Sequence, residues 1–219
     1  MFSSFDYAVI VRNLPFLGEG LLLSFQLAVL GIFFGIFLGA FLCLLRMSSI
    51  RPLAWLALCY VGFFRSVPLI LTIFWIYFLV PLLLGRATGP FLSAAVAITL
   101  LEAAYYCEII RAGVHSIPRG QINAGLATGL TRLQTMRHVV LPQAFRNMMP
   151  VLLTQSIILF QGTSLVYVVT LRDFMTAASV VANQESRLVE LYLFAALVYF
   201  AICFAGSRLV DRFGGSMQR

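Results

Sequence analysis

The chain has 219 residues, of which 61% are hydrophobic and only 11% are charged, against roughly a quarter charged in an average soluble domain. So little charge cannot cover a water-facing surface, so the composition excludes a soluble globular protein and predicts an all-α polytopic membrane protein. All fifteen cationic side chains are arginine, which excludes a P-loop ATPase and a lysine Schiff-base enzyme, because both need a lysine.

The first apolar run long enough to cross a bilayer, which takes about 20 residues, covers residues 21–45. It carries Gly31, Gly35 and Gly39 at four-residue steps, so the three glycines share one helix face. Glycines on one face allow the backbone of a neighbouring helix to approach closely. We therefore predict that this face packs against another span.

The next apolar run, residues 52–64, is too short to span a bilayer before it reaches Arg65. We interpret it as an interfacial helix followed by a span over residues 66–84. One long tilted helix over residues 53–84, with Arg65 inside it, is an open alternative. Further spans are predicted over residues 88–110, 148–171 and 188–208, which makes five transmembrane helices.

The arginines divide unequally between the two sides of these spans. Arg12, Arg86, Arg172 and Arg187 lie in connections on one side, and the other eleven lie on the opposite side. Cytoplasmic connections carry the excess of positive charge, so the larger set is predicted to be cytoplasmic. The N-terminus is then outside, the C-terminus is inside, and residues 111–146 form a basic cytoplasmic segment.

This cytoplasmic segment is predicted to contain two short helices joined by a turn. Pro118 suits the first turn of the first helix, and Gly129 can end that helix in the left-handed conformation. Thr131 and Gln134 form a capping-box pattern for the second helix, and Pro142 is predicted to end the segment. One apolar stripe is predicted to run along both helices: Leu126, Leu130, Leu133, Met136 and Val140.

Ionisable side chains at membrane depth are costly and usually face a cavity or a partner. Glu108 and Arg111 share a helix face at i, i+3 and are predicted to form a structural ion pair. Glu102 lies deeper without a local partner, so it is a candidate to line a polar pathway. Four residues of the fourth span are further candidates, with hydrogen bonding between helices as the alternative: Gln155, Gln161, Thr163 and Ser164.

The cytoplasmic segment resembles the signature of the membrane subunits of bacterial ATP-binding-cassette importers, a Glu-Ala-Ala motif followed by a glycine and an Ile-x-Leu-Pro motif. Here the matching residues are Asn123-Ala124-Gly125, then Gly129, then VVLP at 139–142, with both spacings intact and with Asn123 and Gly125 as departures. FFRSVPL at 63–69, AAYYCEIIRAG at 103–113 and QGTSL at 161–165 are similar to the polar amino acid uptake branch. Within it, QGTSL and NAGLATG look closest to the smaller membrane subunit of glutamate/aspartate importers.

The resemblance implies a single permease domain over residues 1–219, of the type I importer fold, in the bacterial cytoplasmic (inner) membrane and its lipid. Residues 111–146 would be the coupling segment, on which a separate ATPase dimer docks. That ATPase would bind ATP and Mg²⁺, leaving this chain without a cofactor. The contact residues would be Gln121, Asn123, Ala124, Gly125, Gly129, Leu141 and Pro142, with the Ala124-Gly125 pair allowing close approach.

The resemblance also implies two further partners. One is a second, related permease subunit, which makes a heterodimer. The other is an extracytoplasmic amino-acid-binding protein, which would meet the loop at residues 172–187.

A self-contained secondary carrier and an intramembrane enzyme are the alternatives to this importer subunit. The sequence has no internal repeat and predicts an odd number of spans, which argues against the carrier. It has no G-x-S-x-G and no H-E-x-x-H motif, and its two histidines, His115 and His138, fall in the cytoplasmic segment. We therefore predict no catalytic residue and no metal site. Nucleic acid is not an expected partner, because a segment pinned to the membrane at both ends cannot enter a major groove.

Overall fold

The computed structural model describes residues 5–85 and 88–217, and the regular structure in that part of the chain is helical throughout. The helices are α1 (Tyr7–Arg12), α2 (Leu14–Arg46), α3 (Arg51–Ser66), α4 (Leu69–Leu84), α5 (Pro90–His115), α6 (Arg119–Ala127), α7 (Arg132–Thr135), α8 (Leu141–Gly162), α9 (Phe174–Gln184) and α10 (Leu188–Met217). A π-helical turn, Met136–Val140, joins α7 to α8, and a 3-10 helix, Thr163–Val169, follows α8. The predicted all-α fold is confirmed. Two arginines of the orientation argument, Arg86 and Arg219, lie outside the described residues.

Within the described ranges, four segments are long and apolar enough to cross a bilayer. They are α2, α5, the continuous run Arg132–Val169, and Leu188–Arg212 of α10. α3 and α4 pass the same test together as a pair bent by 108°. Counted as one broken span, this pair brings the number to the five that the sequence predicts. The alternative of one long helix over residues 53–84 is wrong.

The break between α3 and α4 follows from Pro68. The residue before a proline is pushed out of the helical region, and Val67 accordingly has an extended backbone with φ −105° and ψ 132°. Just before the break, the Ser66 hydroxyl donates to the Gly62 carbonyl at 2.8 Å. Arg65 therefore lies at the bend and not inside a straight span.

α2 and α5 form the central helix pair of the fold, and the glycine face of α2 is their contact surface. A Cβ added to Gly31 would lie 2.7 Å from Ile98 Cγ2. A Cβ added to Gly39 would meet main chain, at 2.9 Å from the Ala103 carbonyl oxygen and 3.0 Å from the Cys107 nitrogen. The predicted close approach at the glycine face is confirmed.

The segment 172–187, predicted to be a loop, contains helix α9, so that prediction is wrong. The buried face of α9 packs beside Leu17 of α2 and Leu191 of α10. It consists of Phe174, Ala177, Ala178, Val181 and Ala182. An interior position for this helix follows from its apolar residues at i, i+3, i+4, i+7 and i+8, the spacing of one helix face.

Asp173 caps α9 with a carboxylate that is completely buried. It accepts hydrogen bonds from the backbone nitrogens of Met175 and Thr176, at 3.0 and 3.1 Å, and from the Thr176 hydroxyl. We expect Asp173→Ala to lower the free energy of unfolding by about 1–2 kcal/mol, because two backbone donors lose their acceptor. Thermal unfolding in detergent measures this loss.

The Asp173→Asn variant is the control for that loss, because it keeps an acceptor oxygen without a charge. Burial raises the pKa of the Asp173 carboxyl, and the hydrogen bonds from Thr176 and the backbone oppose this shift. Asp173 therefore stabilises the fold most below its ordinary pKa, and this contribution is lost as the pH rises through the raised pKa. The asparagine variant should lose that pH dependence and keep most of the stability; equal losses in both variants would contradict the cap.

Candidate functional site

A cavity of about 510 Å³ opens where the α3–α4 break faces α5 and α8. The break contributes the stretch from Arg65 to Leu69, α5 contributes Glu102 and Tyr105, and α8 contributes Gln155. Because the bend turns α4 away from α3, residues on either side of Pro68 border this space.

Glu102 and Gln155, two of the predicted pathway residues, lie together in this cavity. Glu102 is only 4% exposed, and its Oε2 accepts a hydrogen bond from Gln155 Nε2 at 3.0 Å. A buried carboxylate needs such a partner, because an isolated one is expensive to desolvate. The partner that the sequence did not reveal for Glu102 is therefore on α8.

The structure does not bring the other three predicted pathway residues to this cavity. Gln161 is exposed, whereas Thr163 is completely buried and donates its hydroxyl to the Phe160 carbonyl at 2.7 Å. Ser164 donates to the Gln161 carbonyl at 2.8 Å. These hydroxyls bond their own chain where α8 tightens into the 3-10 helix, so they do not link two helices either.

Glu108 joins three arginines near the ends of α2, α3 and α5. Its Oε2 accepts from Nε and Nη2 of Arg111, at 3.0 and 2.9 Å, the i, i+3 contact expected from the spacing. Its Oε1 accepts from Arg46 and lies 3.5 Å from Nη1 of Arg65. Sequence reasoning missed Arg46 and Arg65, because both are far from Glu108 along the chain.

The turn between α6 and α7 is formed by the residues that the sequence predicts. Gly129 is left-handed, with φ +87°. Its N–H donates to the Leu126 carbonyl at 3.0 Å, and the N–H of Leu130 donates to the Gly125 carbonyl at 3.2 Å. This pair of bonds is the Schellman motif, which satisfies the last carbonyls of a helix. Gly129 as the end of α6 is confirmed.

The predicted capping box at the start of α7 is also confirmed. The backbone nitrogen of Gln134 donates to Thr131 Oγ1 at 3.3 Å, and the backbone nitrogen of Thr131 donates to Gln134 Oε1 at 2.8 Å. Two otherwise unpaired donors are satisfied reciprocally. The turn between α6 and α7 is thus fixed from both sides.

Pro142 does not end the segment, so that prediction is wrong. The helical path continues from α7 through the π-helical turn into α8, where Pro142 is the second residue. The Gln143 side chain donates to the Val139 carbonyl at 2.8 Å. The wider π turn accommodates a proline that cannot join an α-helical ladder.

The single apolar stripe predicted for this segment is also wrong. Val140 is buried and packs with Ile117, whereas Leu126 and Leu133 are 40% and 78% exposed. Helical spacing does not carry across Gly129, because the left-handed residue redirects the chain. The stripe therefore divides into a packed part and an exposed part.

Gly125 is the one predicted coupling residue that the structure buries. A Cβ there would lie 2.9 Å from Thr135 Cγ2, so its missing side chain serves the packing of α6 on α7. The other predicted coupling residues are exposed: Gln121, Asn123, Ala124, Gly129, Leu141 and Pro142.

Comparison with known proteins gives a family match over residues 31–219, to the family described as "Binding-protein-dependent transport system inner membrane component". The chain belongs to this family. Members of this permease family are transport components, so the prediction of a transport subunit and not an enzyme is confirmed. The prediction of a multi-pass membrane protein is consistent with membership of this family.

Two relatives of this permease show how far the similarity extends. The chain is 47% identical over 214 residues to the glutamate/aspartate import permease protein GltK of Escherichia coli O157:H7, covering 94% of this chain and 96% of that protein. It is 35% identical over 197 residues to the arginine transport system permease protein ArtQ of Bacillus subtilis, covering 90% of each.

Solved structures agree on the fold of this permease. A crystal structure of an amino acid ABC transporter with histidines matches with a TM-score of 0.92 and 29% identity, over 97% of this chain and 99% of that one. An inward-facing MetNI methionine ABC transporter matches with a TM-score of 0.71 and 22% identity, over 92% and 98%. The predicted fold of a type I ABC importer permease is confirmed.

Proposed function

We propose that this permease forms the translocation pathway of an amino acid importer whose substrates are glutamate and aspartate. The substrate assignment rests on the 47% identity, over nearly the whole chain, to a glutamate/aspartate import permease. The cavity with Glu102 and Gln155 is the proposed pathway. Its place at a broken helix supports this role, because discontinuous helices often form the binding sites of membrane transporters.

In this proposal the single permease domain uses residues 111–146 to dock a separate ATPase, which binds ATP and Mg²⁺ and hydrolyses the ATP. The segment carries five arginines and no acidic residue, and it exposes the apolar side chains of Leu126 and Leu133. Exposed apolar side chains rimmed by charge are typical of a protein interface. The arginines and the exposed leucines together favour a partner surface on the ATPase that carries acidic groups.

The proposed assembly lies in the bacterial inner membrane, with the N-terminus outside, the C-terminus inside and the coupling segment in the cytoplasm. A second, related permease subunit completes a heterodimer, and an extracytoplasmic binding protein delivers the amino acid. The excess of arginine on one side of the spans supports this orientation.

Extraction of the tagged chain from its native membrane in mild detergent, followed by mass spectrometry, tests this assembly. We expect a P-loop ATPase and a second apolar permease subunit to co-purify. Cells that lack this chain should lose ATP-dependent uptake of labelled glutamate and aspartate. A chain that purifies alone even after cross-linking, or uptake that survives its loss, would contradict the proposal.

A further inference from the structure

Two side chains of opposite charge line the proposed translocation cavity without neutralising each other. Arg65 lies at the α3–α4 break and Glu102 lies on α5. Glu102 is hydrogen-bonded to Gln155, and the ion contact of Arg65 is with Glu108. The cavity therefore offers a guanidinium and a carboxyl group, which are groups that can bind the carboxylate and the ammonium of an amino acid zwitterion.

The guanidinium of Arg65 keeps donors available for a ligand. Glu108 already accepts two hydrogen bonds from Arg111 and one from Arg46. Arg65 stands 3.5 Å from the same carboxylate, beyond good hydrogen-bond length, and its side chain is 45% exposed. A guanidinium has five N–H groups in a planar fork that matches a carboxylate.

Glu102 is held in place and also keeps an acceptor available. Gln155 binds Oε2, and Oε1 has no hydrogen-bond partner among the described residues. An ionised carboxylate can accept several hydrogen bonds, and an ammonium group has three donors to give. A ligand ammonium at this oxygen would give the buried carboxyl group a second hydrogen-bond partner.

We propose that Arg65 and Glu102 bind the carboxylate and the ammonium group of an α-amino acid, so that this cavity selects the amino acid backbone and not an acidic side chain. Arg65 is the one cation among the described residues that line the cavity. This lining therefore has no second cation that could bind a side-chain carboxylate. The uncapped first turn of α4 borders the same end of the cavity and adds partial positive charge near Arg65. This inference rests on the proposed pathway role of the cavity.

Equilibrium binding of labelled L-glutamate to the purified importer, without ATP and without the binding protein, tests this site. L-glutamine keeps the zwitterion but lacks the side-chain carboxylate, whereas glutarate keeps two carboxylates but lacks the ammonium. We expect glutamine to compete within a few-fold of glutamate, and glutarate to compete at least about a hundredfold more weakly. Equal competition by glutarate and glutamine would overturn the proposal.

Variants of the two charged residues separate recognition from folding. Arg65→Gln and Glu102→Gln are each expected to weaken glutamate binding about tenfold or more, and Arg65→Lys should recover part of the loss. Glu102→Gln should also lose the preference for glutamine over glutarate, which a merely structural role would not change. The matched control is Arg208→Gln, an exposed arginine of α10 over Phe204, whose dissociation constant should not change.

The outcomes distinguish this site from the transport function itself. Monodisperse Arg65→Gln protein with an unchanged dissociation constant would overturn the proposal. Wild-type importer that binds no glutamate would overturn it as well. Uptake by that same importer, reconstituted in proteoliposomes with its binding protein, then decides separately whether the transport function stands.

Discussion

Replacing Gly39 by valine is expected to separate α2 from α5 and to leave little correctly folded protein. The added Cβ would meet the Ala103 carbonyl oxygen at 2.9 Å and the Cys107 nitrogen at 3.0 Å. Backbone atoms cannot turn aside as a side chain can, so the expected cost is at or above the upper end of the about 1–3 kcal/mol typical of overpacking. The thermal midpoint in detergent and the monodisperse fraction measure the effect.

Gly18→Val is the matched control, because Gly18 lies on the same helix and an added Cβ there has nothing within 4 Å. Both variants change the helix propensity of α2 in the same way. Only the valine at position 39 would also collide with the backbone of α5. If Gly39→Val melts at the temperature of Gly18→Val, the close contact between α2 and α5 does not support the fold.

Replacing Gly129 by valine is expected to abolish most ATP-driven uptake while the protein still inserts at normal abundance. Gly129 has φ +87° and open space around its Cα, so the cost comes from the backbone alone. A left-handed residue other than glycine costs about 1–2 kcal/mol, and a β-branched one costs more. Relief of this strain would break the Schellman bonds and reorient α6 against α7. Uptake of labelled glutamate in proteoliposomes should fall below about a tenth of wild type.

Gly120→Val controls for the change of residue in the same segment. Gly120 lies in the first turn of α6, also with open space but without a positive φ. It should retain uptake, and both variants should appear in the membrane at equal amounts. Normal uptake by Gly129→Val would refute the role of this turn in coupling.

The features that could be predicted from the sequence are local in origin. The capping box needs only Thr131 and Gln134 three residues apart, and the end of α6 needs only a glycine at position 129. The glycine face of α2 likewise follows from the four-residue spacing within one helix. Each of these features depends on residues close together in the chain, so the sequence pattern alone is enough to predict it.

The features that could not be predicted depend on long-range packing. Val67-Pro68 predicts a break, but the bend of 108° and the contact of Arg65 with Glu108 depend on how α3 and α4 pack against α5. The burial of α9 follows from α2 and α10, although the Asp173 cap and the apolar spacing were visible in the sequence. The local signals thus indicate helix α9 but not its burial, whereas at Arg65 no local signal exists.

The continuous helical path from Arg132 to Gly162 links the second half of the segment 111–146 rigidly to α8. Arg132 and Gln155 are separated by roughly 35 Å of helix at 1.5 Å per residue. A tilt of about 5° about the Arg132 end would displace Gln155 by about 3 Å over that length. Such a displacement is enough to break its 3.0 Å bond to Glu102. The π turn and Pro150 limit the stiffness of this helical path. Its stiffness would therefore determine how strongly a movement near Arg132 changes the hydrogen bond between Gln155 and Glu102 in the cavity.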